Sequence, residues 1–180
     1  MLRTGLLDGT IVATAGGAEH VATAVAGLGA TAVAFEADLR DEDAVIAAAG
    51  ALGPVGMLVC DTVPAFVAAG GGIEGLGAGL EGAWNATRAV ANAVWRPGDG
   101  GRVALLGPRP RDGAHAGALG AALENTARTL SIEWARYGIR ATAVLPGDAT
   151  TDDDIASLIA YLASPAGDYF TGCAFALGAT

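Results

Sequence analysis

Apart from its 19 carboxylates, this 180-residue chain has few side chains suited to acid–base, nucleophilic or metal chemistry, and they are scattered. There are two histidines, His20 and His115, two cysteines, Cys60 and Cys173, and three tyrosines, Tyr137, Tyr161 and Tyr169. Lysine is absent, so all ten basic residues are arginine. His115 stands just before a long helical pattern, and an imidazole suits proton transfer near neutral pH. The competing reading of His115 is a solvated loop residue, and His20 reads as a surface helix residue. Asp152-Asp153-Asp154 places three carboxylates in a row, a conceivable metal-ligand set. The same run at a helix start complements the helix dipole, and that reading is adopted; no metal is expected. Cys60 and Cys173 are too few for a disulfide framework and lack metal-ligand spacing. They read as small buried apolar residues.

The composition sets limits on the rest. At 52% hydrophobic and 16% charged residues, the chain is expected to be compact, one domain over 1–180. A net charge of −9 argues against nucleic acid or an anionic membrane surface as partner. No apolar run is long enough for a membrane span, and MLRTGLLDGT has no signal-peptide core. A cytoplasmic protein is the expectation.

Hydrophobic periodicity places the elements. TIVAT at 10–14 is a short β-branched apolar run, broken by Gly16-Gly17. A helix pattern follows over about 18–28, ended by Gly29. Further strands are predicted at 31–36, 56–60, 102–106, 141–145 and 170–177. Helices are predicted after Asp41, a candidate N-cap, and over 79–95, 116–137 and 152–163. The glycine-rich stretch 68–82 reads as soft. Strands alternating with helices imply βαβ units, a parallel sheet and helices on both faces. The fold class is therefore α/β, a doubly wound Rossmann-like sheet of about six strands.

Five segments, in order, resemble the short-chain dehydrogenase/reductases. They are Leu7-Asp8-Gly9 into the first strand, GATAVAFEADLRDEDAV (29–45), AWNATRAVANAV (83–94), SIEWARYGIRATAVLPG (131–147) and LIAYLASPAGDYFTGCAFALGA (158–179). The resemblance implies hydride transfer with NAD(P) and a Tyr-x-x-x-Lys pair on the long helix. Ala116 and Gly120 stand at those two positions, followed by the matching Ala121-Ala122-Leu123. The position of the catalytic Ser falls at Leu106 or Gly107, and that of the structural Asn at Gly79. The phosphate loop Thr-Gly-x-x-x-Gly-x-Gly, started from Thr14, would put its glycines at Ala15, Glu19 and Val21. A β-carbon at Val21 would crowd the pyrophosphate, and Glu19 would repel it. The Asn-Asn-Ala-Gly motif reads Cys60-Asp61-Thr62-Val63. One strand–helix unit of the adenosine half and the substrate loop are expected to be missing. Thr14, Gly16, Gly17, Asp38 and Thr151 remain as weak remnants of a cofactor site; Asp38 reads more simply as a helix cap. No cofactor is expected.

A tyrosine needs a nearby cation to act as a base at neutral pH, and Ala116, Gly120 and Gly107 supply none of this chemistry. The retained features concern packing. One face of the helix at 82–95 carries Leu80, Trp84, Thr87, Ala91 and Val94, and its fourteen residues include one charge, Arg88. On the long helix, Ala118, Ala122, Asn125, Thr129 and Ile132 form a small-residue row beside the sheet-packing row Ala116, Gly120, Leu123, Ala127, Leu130 and Trp134. In the resembled family these two helices pair between subunits. The expected interface residues are Trp84, Arg88, Ala91, Ala118, Ala122, Asn125, Thr129 and Ile132; the alternative is that both helices serve only the chain's own core. The leading functional reading is a non-catalytic subunit of a homo-oligomer, or of a hetero-oligomer with an active dehydrogenase. Two others stand beside it. One is a diverged oxidoreductase that uses NAD(P) and another residue, such as His115. The other is a small-ligand module using the cleft at the strands' C-terminal ends.

Overall fold

The computed structural model describes residues 3–178. Six strands form one parallel sheet in the order β2-β1-β3-β4-β5-β6. They are β1 (Ile11–Ala15), β2 (Thr31–Phe35), β3 (Met57–Asp61), β4 (Gly101–Leu106), β5 (Ile139–Pro146) and β6 (Cys173–Leu177). All five pairings are parallel, from Ile11↔Thr31 at one side to Pro146↔Leu177 at the other. Strand β3 is buried throughout, as expected where both faces of a parallel sheet are covered.

Six α-helices cover the sheet: α1 (Glu19–Gly27), α2 (Glu42–Ala51), α3 (Val63–Ala68), α4 (Ile73–Val90), α5 (Ala116–Glu133) and α6 (Asp152–Ala163). Helix α1 packs against α6 on one face, while α2, α4 and α5 pack in sequence on the other. Each layer has its own core. The α1/α6 side buries Val12, Val21, Val59, Ile155 and Ile159. The other side buries Leu58, Phe66, Leu105, Leu119 and Leu123. A single helix separates β1 from β2, so the shortened side of the sheet ends at β2, paired directly with β1.

Asp41 acts as the cap the sequence predicts, and Asp38 does not. Asp41 Oδ1 accepts from the Ala44 N–H at 3.1 Å. The Thr151 hydroxyl accepts from the Asp154 N–H at 3.1 Å, and Asp154 Oδ2 accepts from the Thr151 N–H at 3.0 Å, a complete capping box. Asp38 caps no helix; its Oδ1 accepts from the Arg40 N–H in an exposed turn. Helix α5 ends at Glu133, and a short 3-10 turn over Ala135–Tyr137 leads to Gly138 at φ 69°.

The glycine-rich stretch differs from expectation. It lies mostly inside α4, which begins at Ile73 and passes into a π-helical turn at Ala91–Trp95. Gly75, Gly79 and Gly82 share the inward face. A β-carbon at Gly75 would lie 2.5 Å from the Phe66 carbonyl oxygen, and one at Gly82 would lie 3.1 Å from Leu39 Cβ. Glycine here allows close helix packing rather than flexibility. Beyond it, the buried Trp95 indole donates to the Val55 carbonyl at 2.7 Å.

Candidate functional site

The chain direction across the sheet reverses between β1 and β3, and crevices of this fold class open at such a point. The C-terminal ends of β1, β3, β4 and β5 meet there. Gly16 and Gly17 follow β1 with φ of 83° and 93°. A β-carbon on Gly16 would lie 2.1 Å from the Asp61 carbonyl oxygen, so this glycine is demanded by the crossing of the chain's own backbone. The Glu19 carboxylate lies beside Gly17 in the first turn of α1. Val21, expected to crowd a pyrophosphate, faces the α1/α6 core and is fully buried. Thr14 is buried within β1, and the Thr151 hydroxyl is committed to Asp154.

The catalytic positions of the resembled family are filled by apolar side chains. A β-carbon on Gly107 would stand 3.1 Å from Leu145 Cδ2 and 3.4 Å from Leu123 Cδ1. One on Gly120 would meet the same Leu145 methyl at 3.5 Å. One on Gly79 would lie 2.8 Å from Leu119 Cδ2. Ala116 is 3% exposed and belongs to the core. Leu145 thus occupies the space between positions 107 and 120, and Leu119 the space beside 79. At these three glycine positions two leucines take up the space, as close packing requires.

His20, expected on the surface, instead lines the crevice with Asp61 and Asp152, its Nε2 buried without a partner. His115 Nδ1 is buried without a partner, and the residue's backbone N–H donates to the Gly71 carbonyl at 3.1 Å. Tyr137 lies beyond the far end of α5 between Arg96 and Arg136, and its hydroxyl accepts from Arg96, which lowers its pKa. Tyr161 packs on Phe170, and Tyr169 is exposed. Cys60 is buried, and burial pushes its thiol up to about 12, leaving it inert. Cys173 is half-buried in β6, its thiol also raised by burial. Among the described residues no three His, Cys, Asp or Glu side chains are placed to hold a metal ion, and Asp152-Asp153-Asp154 opens α6.

What the sequence reading missed is an ionic cluster in the crevice. Asp61 ends β3 and is 7% exposed. Burial raises its carboxyl to about 6, with Glu19 and Asp152 adding to the rise and the Val63 N–H and Arg109 opposing it. Arg109, held between Pro108 and Pro110, donates from Nε to the Thr150 carbonyl at 3.3 Å and from Nη2 to Asp152 Oδ1 at 2.5 Å. That pairing holds the Asp152 carboxyl below its ordinary value. The available signal was an acidic residue ending a fully apolar strand at the switch point.

The expected interface residues divide. Ala118, Asn125, Thr129 and Ile132 are exposed on α5, with Ala122 half-buried. Trp84 is 42% exposed and stacks on Trp134, ring centroids 6.4 Å apart. Arg88 is half-buried and pairs with Glu42 at 2.5 Å. Ala91 is a correction. It follows Thr87 by four residues on the inward face of the helix and is fully buried with Thr87 and Val90 in the core. The outward stripe of α4 runs instead through Glu81, Trp84, Arg88 and Asn92.

Comparison with known proteins agrees with this architecture. No protein-family model matches the chain, and no curated protein matches its sequence. Solved structures do. A citronellol catabolism dehydrogenase of Pseudomonas aeruginosa PAO1 superposes with a TM-score of 0.78 at 22% identity, covering 98% of this chain and 96% of that one. A hydroxysteroid dehydrogenase from Escherichia coli gives 0.76 at 19% identity, covering 98% of each. E. coli BdcA gives 0.71 at 21% identity, covering 96% of this chain and all of that one. The chain therefore has a shortened short-chain dehydrogenase/reductase-like fold, a Rossmann-type α/β architecture.

This corrects the expectation that no cofactor is involved. The fold is of the nucleotide-binding type, matched along nearly its whole length by dehydrogenases. Absent loop glycines weighed against a nucleotide in the sequence, but the β1–α1 crossover and its crevice persist. The charges in that crevice differ from those a pyrophosphate requires. Glu19 and Asp61 stand near the α1 N-terminus, where phosphate oxygens need N–H donors and a positive field. These side chains, as arranged, do not fit a pyrophosphate. Among the described residues no helix is long and apolar enough to cross a membrane.

Proposed function

We propose that this chain is a short-chain-dehydrogenase-like subunit that carries out no proton transfer of its own and works in an assembly, with a second copy or with an active dehydrogenase of the same fold. One observation carries the reading: Leu145 and Leu119 fill the space at positions 107, 120 and 79, while Ala116 is in the core. A hydride transfer to or from a carbonyl needs a positioned acid or base, and these positions hold none. The outward row of α5 and the exposed Trp84 supply a contact surface at the helices the resemblance assigns to pairing. The proposal concerns catalysis and assembly; a subunit lacking the Tyr–Lys pair can still hold a nucleotide. Co-expression with an active homologue from the same genome tests it. Co-purification with a gain in the homologue's activity supports a hetero-assembly. A strictly monomeric chain with no effect on the homologue overturns the proposal.

A second reading is favoured by the fold itself. Neighbours described as dehydrogenases support a diverged NAD(P)-dependent oxidoreductase that uses a water or another residue. Calorimetry with NAD(H) and NADP(H) decides for it if binding is micromolar and a carbonyl substrate is turned over.

A further inference from the structure

Two oppositely charged side chains face one small cavity in the crevice without meeting. Asp61 Oδ1 accepts from the Val63 N–H at 2.9 Å. Its Oδ2 takes no hydrogen bond from any described residue, and no described cation comes within ion-pair distance. Arg109 is 15% exposed and spends Nε on Thr150 and Nη2 on Asp152, leaving Nη1 without a described partner. The cavity they line, with His20, Gly107, Asp152 and Ile155, holds about 180 Å³. Of the polar atoms lining it, His20 Nε2 is the one fully buried with no partner among the described residues. Unpartnered buried polar atoms are rare in folded proteins, and a buried carboxylate without a counter-ion is costly. That one buried nitrogen and the open valences of Asp61 and Arg109 line the same cavity, an arrangement that suits a ligand.

The charge balance selects its chemistry. Arg109 and Asp152 neutralise one another, which leaves the Asp61 and Glu19 carboxylates as the uncompensated charges near the cavity. An anion is disfavoured, and a donor cation supplies what Asp61 lacks. At about 180 Å³ the cavity suits a small ligand whose charged group sits beside Asp61. The free Arg109 Nη1 calls for an acceptor oxygen on the same molecule. We infer that this crevice binds a small primary ammonium compound bearing an oxygen acceptor, with Asp61 as its counter-ion and Arg109 as the donor to that oxygen. This goes beyond the assembly role and does not depend on it.

Ethanolamine is the probe and ethylene glycol its neutral isostere. Both are titrated into isotopically labelled protein at neutral pH and constant ionic strength, and amide resonances are followed. The expected result is saturable shifts at Gly16, Val63 and Gly107 with ethanolamine and none with ethylene glycol. Asp61→Asn should weaken binding roughly ten- to a hundred-fold, the scale of a charge-assisted hydrogen bond. The wild-type protein gives an independent check. Binding should weaken as pH falls through about 6, where Asp61 takes up a proton among Glu19, His20, Arg109 and Asp152. Equal responses to the two probes, an unchanged affinity in D61N, or no saturable shift overturns the inference. NAD⁺ and NADH are titrated in parallel. Displacement of bound ethanolamine by NAD⁺ but not NADH supports a cation site, whereas nucleotide binding with no ethanolamine binding overturns it. Neither result changes the oligomeric state, so failure here is distinguishable from failure of the assembly reading.

Discussion

Asp61 carries a measurable stability cost. Its carboxyl titrates near 6 in the folded chain, against 3.8 when unperturbed. Between these values the folded state binds more protons than the unfolded state, so the stability contribution falls as pH rises through this window. Below about pH 4 both states are protonated and there is no penalty. Above about 6 the full penalty applies, on the order of 3 kcal/mol at 1.36 kcal/mol per unit. Asp61→Asn preserves the acceptor for the Val63 N–H and removes the charge. The variant should therefore be more stable than wild type at neutral pH by a few kcal/mol, with the difference vanishing near pH 4. Chemical denaturation at the two pH values checks this. An unchanged or lowered stability at neutral pH would mean that Asp61 has a counter-ion in solution. A residue kept at such a cost marks a functional position better than its type does.

Within α4, neighbouring glycines serve opposite ends. Gly75 faces Phe66, where a β-carbon would sit 2.5 Å from a backbone oxygen; Gly77 faces outward with nothing within 4 Å. Gly77→Ala should stabilise by about 0.5–1 kcal/mol through helix propensity, raising Tm by about 1–4 °C. Gly75→Ala should destabilise by about 1–3 kcal/mol, because the backbone must shift. Thermal unfolding of the two variants separates packing glycines from permissive ones, and like signs for both would refute the packing account. The same helix explains where sequence reasoning stopped. The strands were legible because TIVAT, GMLVC, RVALL and ATAVL are buried on both faces and read as continuous apolar runs. Asp152-Asp153-Asp154 was legible as a helix start because dipole complementarity is local, whereas Thr151, read as a cofactor remnant, proved to be the cap of that helix. The start of α4 was not legible, since glycine signals softness unless a partner surface is known, and that surface belongs to Phe66 and Leu39. The crevice cluster was hidden for a related reason. Arg109 meets Asp152 across 43 positions, and Leu145 fills the gap between 107 and 120 only once β5 lies beside β4 and α5. Absent catalytic side chains could be read from the sequence; what replaced their volume could not.

Over the whole molecule, charge and surface shape set the conditions for assembly. The chain carries −9, so two copies repel at long range, and any self-association must come from short-range contact. The outward face of α5 suits such contact. Ala118, Thr129 and Asn125 keep it low, and Ile132, 76% exposed, puts an apolar side chain on it. Trp84 adds a second apolar surface, backed by Trp134. If these faces pair between copies, salt should tighten the dimer, because screening at about 0.5 M shortens the reach of the repulsion to about 3–4 Å. Pairing with a positively charged partner subunit should instead loosen with salt, because the same screening then weakens an attraction. Sedimentation velocity at about 0.02 M and about 0.5 M salt reads the sign directly. Ile132→Glu supplies the site-specific test. On a free surface it should change stability by no more than about 0.5 kcal/mol. In a two-fold contact it adds a charge to both sides of an already acidic pair and should weaken association at least about tenfold. An association unaffected by I132E places the contact elsewhere. A chain that is monomeric at every salt concentration, and loses no partner on this substitution, leaves α5 as a helix that serves only its own core.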